Sequence, residues 1–319
     1  DLVDPADAAG ITLSQLTGEF EDAGAGKGKT VKLGTTAPTV TGKYAVSYPA
    51  TAVGDINRRQ VTVTVELSGN DLETDTSVDP PACYYIFNNS ERTPDVTVTD
   101  SNNDGSYPAV LAPGDYTVTY SNNKNVSTAG NPAVVTVTQA DGNYTFATAT
   151  VNFEIRDAGA VLTSSPQARV LEYNGQAHEL VTVGTATGGT VVYSLDDPDG
   201  TYTADIPTGT NAGTYTVYYK VQGDGNYEGN DTIRSVSVTI RPKEIISPVI
   251  TVSDTYDYTF NGTAKEPPVT VEDGGTVIDG PGTAKPEYTV QYSNNVNAGT
   301  AAVTIVNANG GNYIVNGSG

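Results

Sequence analysis

Alternation of apolar and polar residues is the main pattern along this chain, and it predicts β-strands. Valine alternates with threonine from Val61 to Val65, and residues 134–138, 215–219 and 236–240 show the same period of two. In a strand this period puts one set of side chains on each face of the sheet. One apolar and one polar face are typical of antiparallel sheets that are half exposed to water. The pattern therefore predicts an all-β protein.

Clusters of turn-forming residues separate these stretches. Glycine accepts a positive φ angle, and Asn and Asp side chains bond to nearby backbone groups, so all three favour tight turns. Such clusters occur at residues 102–105, 113–114, 199–200 and 281–282. No long helical period competes with them, and only residues 6–16 are compatible with a turn of helix. Short strands joined by frequent turns are therefore expected.

Three short markers recur in the same order and reveal an internal repeat. The first, an aromatic residue followed by asparagine, ends at Asn88, Asn174 and Asn261, which are 86 and 87 residues apart. An Ala-Gly pair follows, and then an Asn-Tyr pair whose asparagine lies 13 residues beyond the glycine. The three copies are Ala129-Gly130 with Asn143-Tyr144, Ala212-Gly213 with Asn226-Tyr227, and Ala298-Gly299 with Asn312-Tyr313. A fixed order and spacing in three copies indicates a repeat protein.

The repeat divides the chain into four predicted modules. The first is a shorter and weaker copy, in which Ala25-Gly26 and Lys43-Tyr44 stand in for the last two markers. The fourth is expected to be truncated, because few residues after Tyr313 remain for the final strand that the second module has room for. Linkers of only a few residues should make the array semi-rigid. The predicted modules are residues 1–60, 61–157, 158–242 and 243–319.

Modules of this size, with several short strands, fit an immunoglobulin-like β-sandwich. The cysteine pair and the tryptophan that mark antibody domains are absent, because the chain has one cysteine and no tryptophan. A small β-barrel is therefore the alternative. The expected architecture is an elongated array of tandem immunoglobulin-like sandwiches.

The motifs of the third module resemble those of MBG-type repeats. They are Tyr173-Asn174-Gly175, Tyr193-Ser194, Ala212-Gly213-Thr214-Tyr215 and Gly225-Asn226-Tyr227. Residues 20–23, 26–31 and 58–63 are similar to the second half of a YDG-type repeat. Both families are immunoglobulin-like repeats of large bacterial surface proteins, so the resemblance implies an extracellular, adhesin-like setting on a bacterial cell. It implies no catalytic residues, because these families share none.

The charge of the chain excludes several partners. Thirty-seven acidic residues against 16 basic ones give a formal net charge of −21. Such a charge repels nucleic-acid phosphates and anionic lipids, and no 18 consecutive apolar residues are present to span a membrane. The excess of acids favours solubility, with calcium binding at the module junctions as the alternative. We expect a monomer that binds no nucleic acid and inserts no part of this segment into a membrane.

Candidate catalytic residues are few. His178 is the only histidine and Cys83 the only cysteine. Neither a zinc site nor a Cys–His nucleophile pair is convincing with this set, and no internal disulfide can form. Carboxylates are plentiful, but no pair stands on a distinctive motif. We therefore expect a protein that is not an enzyme and has no cofactor, calcium being the one ion to consider.

The best candidate for a metal site runs from Asp100 to Gly105. It matches Asp-x-Asn-x-Asp-Gly, the front half of a calcium loop, in which Asp100, Asn102 and Asp104 would supply oxygen ligands. The position that carries a bidentate glutamate in a complete loop is Leu111 here. A hairpin turn explains the same residues without a metal.

The loop after the Tyr-Ser pair is the candidate binding surface. From that serine to the Ala-Gly glycine it spans 19 residues in the third module, against 9 in the second and 6 in the fourth. Loops at one end of a sandwich are natural binding sites. A tolerated insertion or an extra hairpin is the alternative. The residues expected to make contacts are Asp196, Asp197, Asp199, Tyr202 and Asp205.

Two functions fit these observations. The first is a non-catalytic, semi-rigid stalk of immunoglobulin-like repeats within a large adhesin-like protein of the bacterial surface. The alternative is an adhesive module that binds a host glycoprotein, a matrix protein or a glycan through its polar loops. The regular repeats and short junctions favour the stalk, whereas the one long loop favours adhesion.

Overall fold

The computed structural model describes residues 17–34 and 49–316. The predicted helical turn at residues 6–16 and the Lys43-Tyr44 marker lie outside them. Every helix or strand assigned within them is a β-strand, which confirms the all-β prediction. No helix that is long and apolar enough to cross a membrane occurs in this part of the chain. The chain divides into two compact units, residues 1–157 and 158–319.

The first unit holds the N-terminal strands and the second repeat (residues 61–157). Its described strands are β1 (Gly18–Phe20), β2 (Gly26–Leu33), β3 (Thr51–Ile56), β4 (Arg59–Gln60), β5 (Val63–Ser68), β6 (Glu73–Asp75), β7 (Ala82–Ile86), β8 (Asp95–Asp100), β9 (Tyr116–Ser121), β10 (Ala133–Gln139), β11 (Tyr144–Thr145) and β12 (Ala149–Arg156). The sheets have the orders β1-β2-β3, β6-β7-β12-β10-β9, β5-β8 and β4-β11.

The alternating positions of the second repeat form its core. Val135 and Val137 of β10 are fully buried, as are Phe153 and Ile155 of β12, which pairs with β10 in antiparallel fashion. Val98 of β8, in the two-stranded β5-β8 sheet, is fully buried as well. The period of two in the sequence therefore corresponds to one buried face of each strand.

The second unit holds the third repeat (residues 158–242) and the fourth repeat (residues 243–319). Its described strands are β13 (Ala158–Gly159), β14 (Val161–Ser164), β15 (Leu171–Glu172), β16 (His178–Glu179), β17 (Thr185–Thr187), β18 (Gly189–Leu195), β19 (Thr208–Gly209), β20 (Gly213–Gly223), β21 (Tyr227–Glu228), β22 (Asn230–Arg241), β23 (Lys243–Ile245), β24 (Val249–Val252), β25 (Val269–Asp273), β26 (Thr276–Ile278), β27 (Tyr288–Ser293), β28 (Ala302–Asn307) and β29 (Tyr313–Val315).

Each repeat of the second unit has a core of its own. In the third repeat the main sheet has the order β15-β22-β20-β18. Its core residues are Leu180, Val181, Val191, Tyr193, Val217, Tyr219, Val238 and Ile240. The fourth repeat has a three-stranded sheet, β24-β25-β26, and the pairs β27-β28 and β23-β29. Its smaller core consists of Ile245, Val271, Ile278, Tyr288 and Val315.

The same strand pairing recurs at the Asn-Tyr marker of the second, third and fourth repeats. A strand at or next to each predicted module boundary runs parallel to the strand of the Asn-Tyr marker that follows it, as β4-β11, β13-β21 and β23-β29. The first bond of each pair reaches the carbonyl of the marker asparagine, from Arg59 to Asn143, from Ala158 to Asn226 and from Lys243 to Asn312. The sequence markers therefore stand at equivalent places in the structure.

Candidate functional site

A buried carboxylate and a buried asparagine meet where the third and fourth repeats join. Glu287 precedes β27 and is 4% exposed, and Asn312 precedes β29 and is 5% exposed. Oε1 of Glu287 accepts a hydrogen bond from Nδ2 of Asn312 at 2.9 Å. Oε2 accepts from the backbone N–H groups of Asn312 and, at 3.2 Å, of Tyr313. These bonds compensate for burying a charge, which is otherwise costly.

The asparagine extends this network into the preceding repeat. Because Nδ2 of Asn312 is held by Glu287, the amide oxygen points away, and Oδ1 accepts the N–H of Ala212 at 2.8 Å. Ala212 belongs to the Ala-Gly marker of the third repeat. The Asn-Tyr marker of one repeat thus bonds to the Ala-Gly marker of the repeat before it. We call the set of Glu287, Asn312 and Ala212 an acid–asparagine junction.

The first unit contains an equivalent acid–asparagine junction, formed by Asp115, Asn143 and Ala25. Asp115 precedes β9 as Glu287 precedes β27, and it too is buried. Its Oδ1 accepts the N–H of Asn143 at 2.9 Å, and Oδ1 of Asn143 accepts the N–H of Ala25 at 2.7 Å. Ala25 was identified as the start of a weak Ala-Gly marker, and the structure gives it the same bond as Ala212.

The glycine before each junction asparagine leaves room for the carboxylate. A Cβ added at Gly142 would overlap a carboxylate oxygen of Asp115, and one added at Gly311 would lie 2.7 Å from Oε2 of Glu287. The third repeat differs, because Gly188 stands where the others have the acid, five residues before the Tyr-Ser pair. Tyr227 packs on Gly188, and an added Cβ at Gly225 would meet nothing within 4 Å. The Gly-Asn-Tyr motif therefore serves two different arrangements.

An aromatic pair reinforces the contact between the third and fourth repeats. The rings of Tyr173 and Tyr313 meet edge to face, with centroids 5.2 Å apart and planes at 78°. Burial raises the pKa of Tyr313, and Tyr173 adds to the shift. Such pairs contribute about 0.5–1.5 kcal/mol beyond the area that they bury. Tyr173 belongs to the first marker, so all three markers take part in this junction.

The three predicted calcium ligands have other partners in the structure. Asp100 is buried, and its Oδ2 accepts from a guanidinium nitrogen of Arg59 at 2.9 Å. Nδ2 of Asn102 donates to Thr62, and Oδ1 of Asp104 accepts the N–H of Ser106. That bond lowers the pKa of Asp104. Among the described residues, no three His, Cys, Asp or Glu side chains are grouped as metal ligands. The calcium site stays a prediction, and these contacts are those of a turn.

Calcium should leave the thermal stability of the first unit unchanged. Arg59 already neutralises Asp100, so a calcium ion would have to displace a guanidinium group that also stacks on Tyr107, 4.2 Å from its ring centre. The measurement is the melting temperature in millimolar calcium and in chelator, for the parent chain and for Asp104→Ala. A rise that chelator reverses and that Asp104→Ala removes would establish the calcium site instead.

The long loop of the third repeat is anchored at its start. Asp196 has a positive φ of 55°, and its Oδ1 accepts the N–H of Thr216. Oδ1 of Asp197 accepts the N–H of Asp199, which closes a turn. Farther along, Thr203 bridges to Tyr193, and β19 pairs with β16. The insertion therefore folds back onto its own repeat.

Other residues of this loop remain accessible. Asp199 and Asp205 are exposed. Tyr202 lines a surface depression of 510 Å³ together with Lys220 and Asp231, which form a salt bridge of 3.1 Å. The ammonium of Lys220 lies 5.2 Å from the ring centre of Tyr202. The five predicted contact residues do not converge on this depression, of which Tyr202 alone forms a part. The binding loop stays a prediction.

His178 and Cys83, the two residues considered for catalysis, each contact or pair with a residue of their own repeat. His178 lies on β16, and its Nε2 is 2.9 Å from Oδ1 of Asn174, in the same marker segment. Cys83 lies half-buried on β7, where it pairs with Thr74 of β6. They belong to different units.

Comparison of the chain with protein-family models, with curated proteins and with solved structures finds no match. The resemblance to MBG and YDG repeats stays a prediction. The junction residues were missed from sequence as a functional group, although one signal was present. An acid stands five residues before the Tyr-Ser tyrosine in the second and fourth repeats, at Asp115 and Glu287.

Proposed function

We propose that this chain is a non-catalytic, semi-rigid stalk of tandem immunoglobulin-like modules in a large adhesin-like protein on a bacterial surface. The observation that carries the proposal is the acid–asparagine junction, in which a buried acid accepts the N–H of the marker asparagine and that asparagine's Oδ1 accepts the N–H of an alanine in the preceding repeat, in both units. A hydrogen bond from one repeat to a buried and anchored side chain of the next makes bending between them costly.

The packing of the third repeat supports the immunoglobulin-like part of the proposal. In the third repeat, Leu162 and Ala186 of the β14-β17 pair pack against the core of the four-stranded sheet, which includes Val217. Two sheets that share a core form a sandwich. Domains of this size with such sheets are typical of the immunoglobulin class.

Physical reasoning on the junction supports the semi-rigid part. Within the second unit, bending the fourth repeat away from the third would break the bond from Ala212 to Asn312 and separate Tyr173 from Tyr313. A hydrogen bond within a protein contributes about 0.5–1.5 kcal/mol net. The bond and the ring pair together therefore favour the joined arrangement by several times the thermal energy.

The distribution of charge and of reactive groups supports a passive surface role. The net charge of −21 keeps an extended chain soluble. The lone histidine contacts an asparagine, and the lone cysteine is part of a strand pair. The proposed location on a bacterial cell surface rests on the resemblance to MBG and YDG repeats.

Loss of the Asn312 side chain should loosen the joint between the third and fourth repeats. We expect Asn312→Ala to broaden the distance distribution between spin labels at the exposed residues Ser237 and Thr276, in a Cys83→Ser background. The measurement is pulsed electron paramagnetic resonance. Asn309→Ala, at an exposed asparagine of the same segment, is the matched control and should leave the distribution narrow.

The stalk proposal depends on a narrow distribution in the parent chain. If the parent is as broad as Asn312→Ala, and both match a freely jointed pair of modules, the joint is flexible and the proposal is wrong. A parent that is narrow and a variant that is broad support it.

A further inference from the structure

Asn-Gly pairs are places where an asparagine side chain can react with its own backbone. Glycine has no side chain, so its backbone nitrogen can closely approach the side-chain carbonyl carbon of the asparagine before it. Residues 17–34 and 49–316 contain three such pairs, which begin at Asn174, Asn261 and Asn309. All three asparagines are exposed, and the glycines that follow them have positive φ angles of 81°, 75° and 72°. The three pairs therefore share the same local backbone.

The side-chain oxygen of Asn174 contacts two hydrogen-bond donors. Oδ1 accepts the backbone N–H of Gln176 at 2.9 Å, and Nε2 of His178 lies 2.9 Å from the same oxygen. A backbone N–H only donates, so the atom that it contacts is the amide oxygen and not the amide nitrogen. Because that oxygen only accepts, His178 carries a hydrogen on Nε2 and donates it to Oδ1.

These two donors form an oxyanion hole for a reaction at Asn174. When the backbone nitrogen of Gly175 attacks Cγ of Asn174, the electrons of the C=O bond move to Oδ1. Donors that already point at an atom on which negative charge develops stabilise the transition state. The bond from Gln176 also closes a turn around Gly175, which holds the reacting nitrogen and carbon close together.

Asn261 provides a comparison within the same chain. Its Oδ1 accepts the backbone N–H and the hydroxyl of Thr263, so it also has two donors, but neither is an imidazole. An imidazole can release a proton and take up another, which a serine or threonine hydroxyl does not do readily. His178 can therefore protonate a departing group at Asn174, whereas Asn261 has no such donor among its hydrogen-bond partners.

We infer that Asn174 is a self-modification site, at which the chain deamidates with the help of His178. The nitrogen of Gly175 bonds to Cγ of Asn174 and loses its proton to water. The Cγ–Nδ2 bond then breaks, and Nδ2 takes a proton from Nε2 of His178 and leaves as ammonia. Solvent returns the proton to His178, and water opens the cyclic imide to aspartate or isoaspartate.

The reaction consumes one water, releases one ammonia and needs no oxidant or cofactor. It takes place once in each chain, without turnover, so it goes beyond the proposed stalk and is compatible with it.

Modification of Asn174 should disturb the joint between the third and fourth repeats. The preceding residue, Tyr173, donates its N–H to the carbonyl of Arg241 at 2.8 Å, and its ring contacts that of Tyr313. Isoaspartate adds a methylene to the main chain directly after Tyr173 and so shifts the backbone that holds this ring. This consequence rests on the proposed function, whereas the chemistry at Asn174 does not.

The test is to incubate the full 319-residue chain in neutral buffer and to follow each Asn-Gly pair by peptide mapping with mass spectrometry. We expect Asn174 to be converted at least about fivefold faster than Asn261, a small part of what one such donor contributes in an enzyme. Equal rates at the two asparagines would overturn the inference.

His178→Leu tests the role of the imidazole. The variant should slow conversion of Asn174 at least about fivefold and leave the rate at Asn261 unchanged. Backbone pairing of β16 with β19 does not use this side chain, and hydrogen exchange at the buried Leu180 checks that the third repeat is folded. An unchanged rate at Asn174 in the folded variant would overturn the inference.

Ageing should also broaden the spin-label distance distribution between Ser237 and Thr276 in the parent. Asn174→Gln is the matched control, because the longer side chain does not form the five-membered imide. It should stay narrow over the same incubation. A fully converted parent that stays narrow would show that the effect on the joint is wrong, while the mass measurements decide the chemistry separately.

Discussion

Glu287→Ala should destabilise the second unit more than any other single change at its junction. The side chain accepts hydrogen bonds from three donors, the two nitrogens of Asn312 and the backbone N–H of Tyr313. Each buried donor left without an acceptor costs about 1–3 kcal/mol. Water entry into the space recovers part of this, so we expect a loss of about 2–4 kcal/mol in the free energy of unfolding.

The effect should also spread to the third repeat. Without Glu287, the amide of Asn312 is held with its oxygen toward Ala212 only by the longer bond, 3.4 Å, from Nδ2 to Oδ1 of Asn211. The amide hydrogen of Ala212 should then exchange faster with solvent, although Ala212 lies in a different repeat. Urea unfolding and hydrogen exchange measure the two effects.

Glu266→Ala is the matched control for this prediction. Glu266 is an exposed glutamate of the same repeat, and its removal changes the net charge by the same amount. Surface substitutions of this kind usually change stability by less than about 0.5 kcal/mol. If Glu266→Ala destabilises the chain as much as Glu287→Ala does, the lost charge explains the effect and the hydrogen bonds of Glu287 do not.

Gly142→Ala should destabilise the first unit, whereas Gly225→Ala should be tolerated. Both glycines precede the asparagine of a Gly-Asn-Tyr motif. A Cβ at Gly142 would overlap an oxygen of Asp115 and lie 2.8 Å from its Cα, so Asp115 would have to move away from Asn143. Overpacking of this kind costs about 1–3 kcal/mol.

The third repeat provides the comparison within the same chain. An added Cβ at Gly225 meets nothing within 4 Å, so we expect a change in stability of less than about 0.5 kcal/mol there. Thermal unfolding of the two variants measures the difference. Equal losses would mean that the motif needs glycine for its backbone conformation, and that the carboxylate of Asp115 is irrelevant to it.

The all-β class and several strand positions could be predicted from the sequence. The alternation at residues 134–138 lies within β10, and that at residues 236–240 lies within β22. A strand can be recognised from its local sequence, because inward and outward side chains alternate wherever one face is buried. The turn residues between strands act over the same short range.

The metal-site hypothesis shows what a local motif leaves out. Asp100, Asn102 and Asp104 have calcium-ligand spacing, but spacing does not reveal that Arg59, 41 residues away, bonds to Asp100. A carboxylate can bind a calcium ion or a guanidinium group, and only the fold decides which of them is near. The same limit applied to the long loop, whose first two aspartates bond to its own backbone and to that of β20.

The sequence by itself determined that the protein is built from β-strands and that its markers recur with a fixed spacing. The tertiary structure decided what the markers do. Asn143 and Ala25 are 118 residues apart, and Asn312 and Ala212 are 100 apart, yet each pair shares a hydrogen bond. Alternation is a property of neighbouring residues, whereas a buried hydrogen bond depends on which groups folding removes from water together.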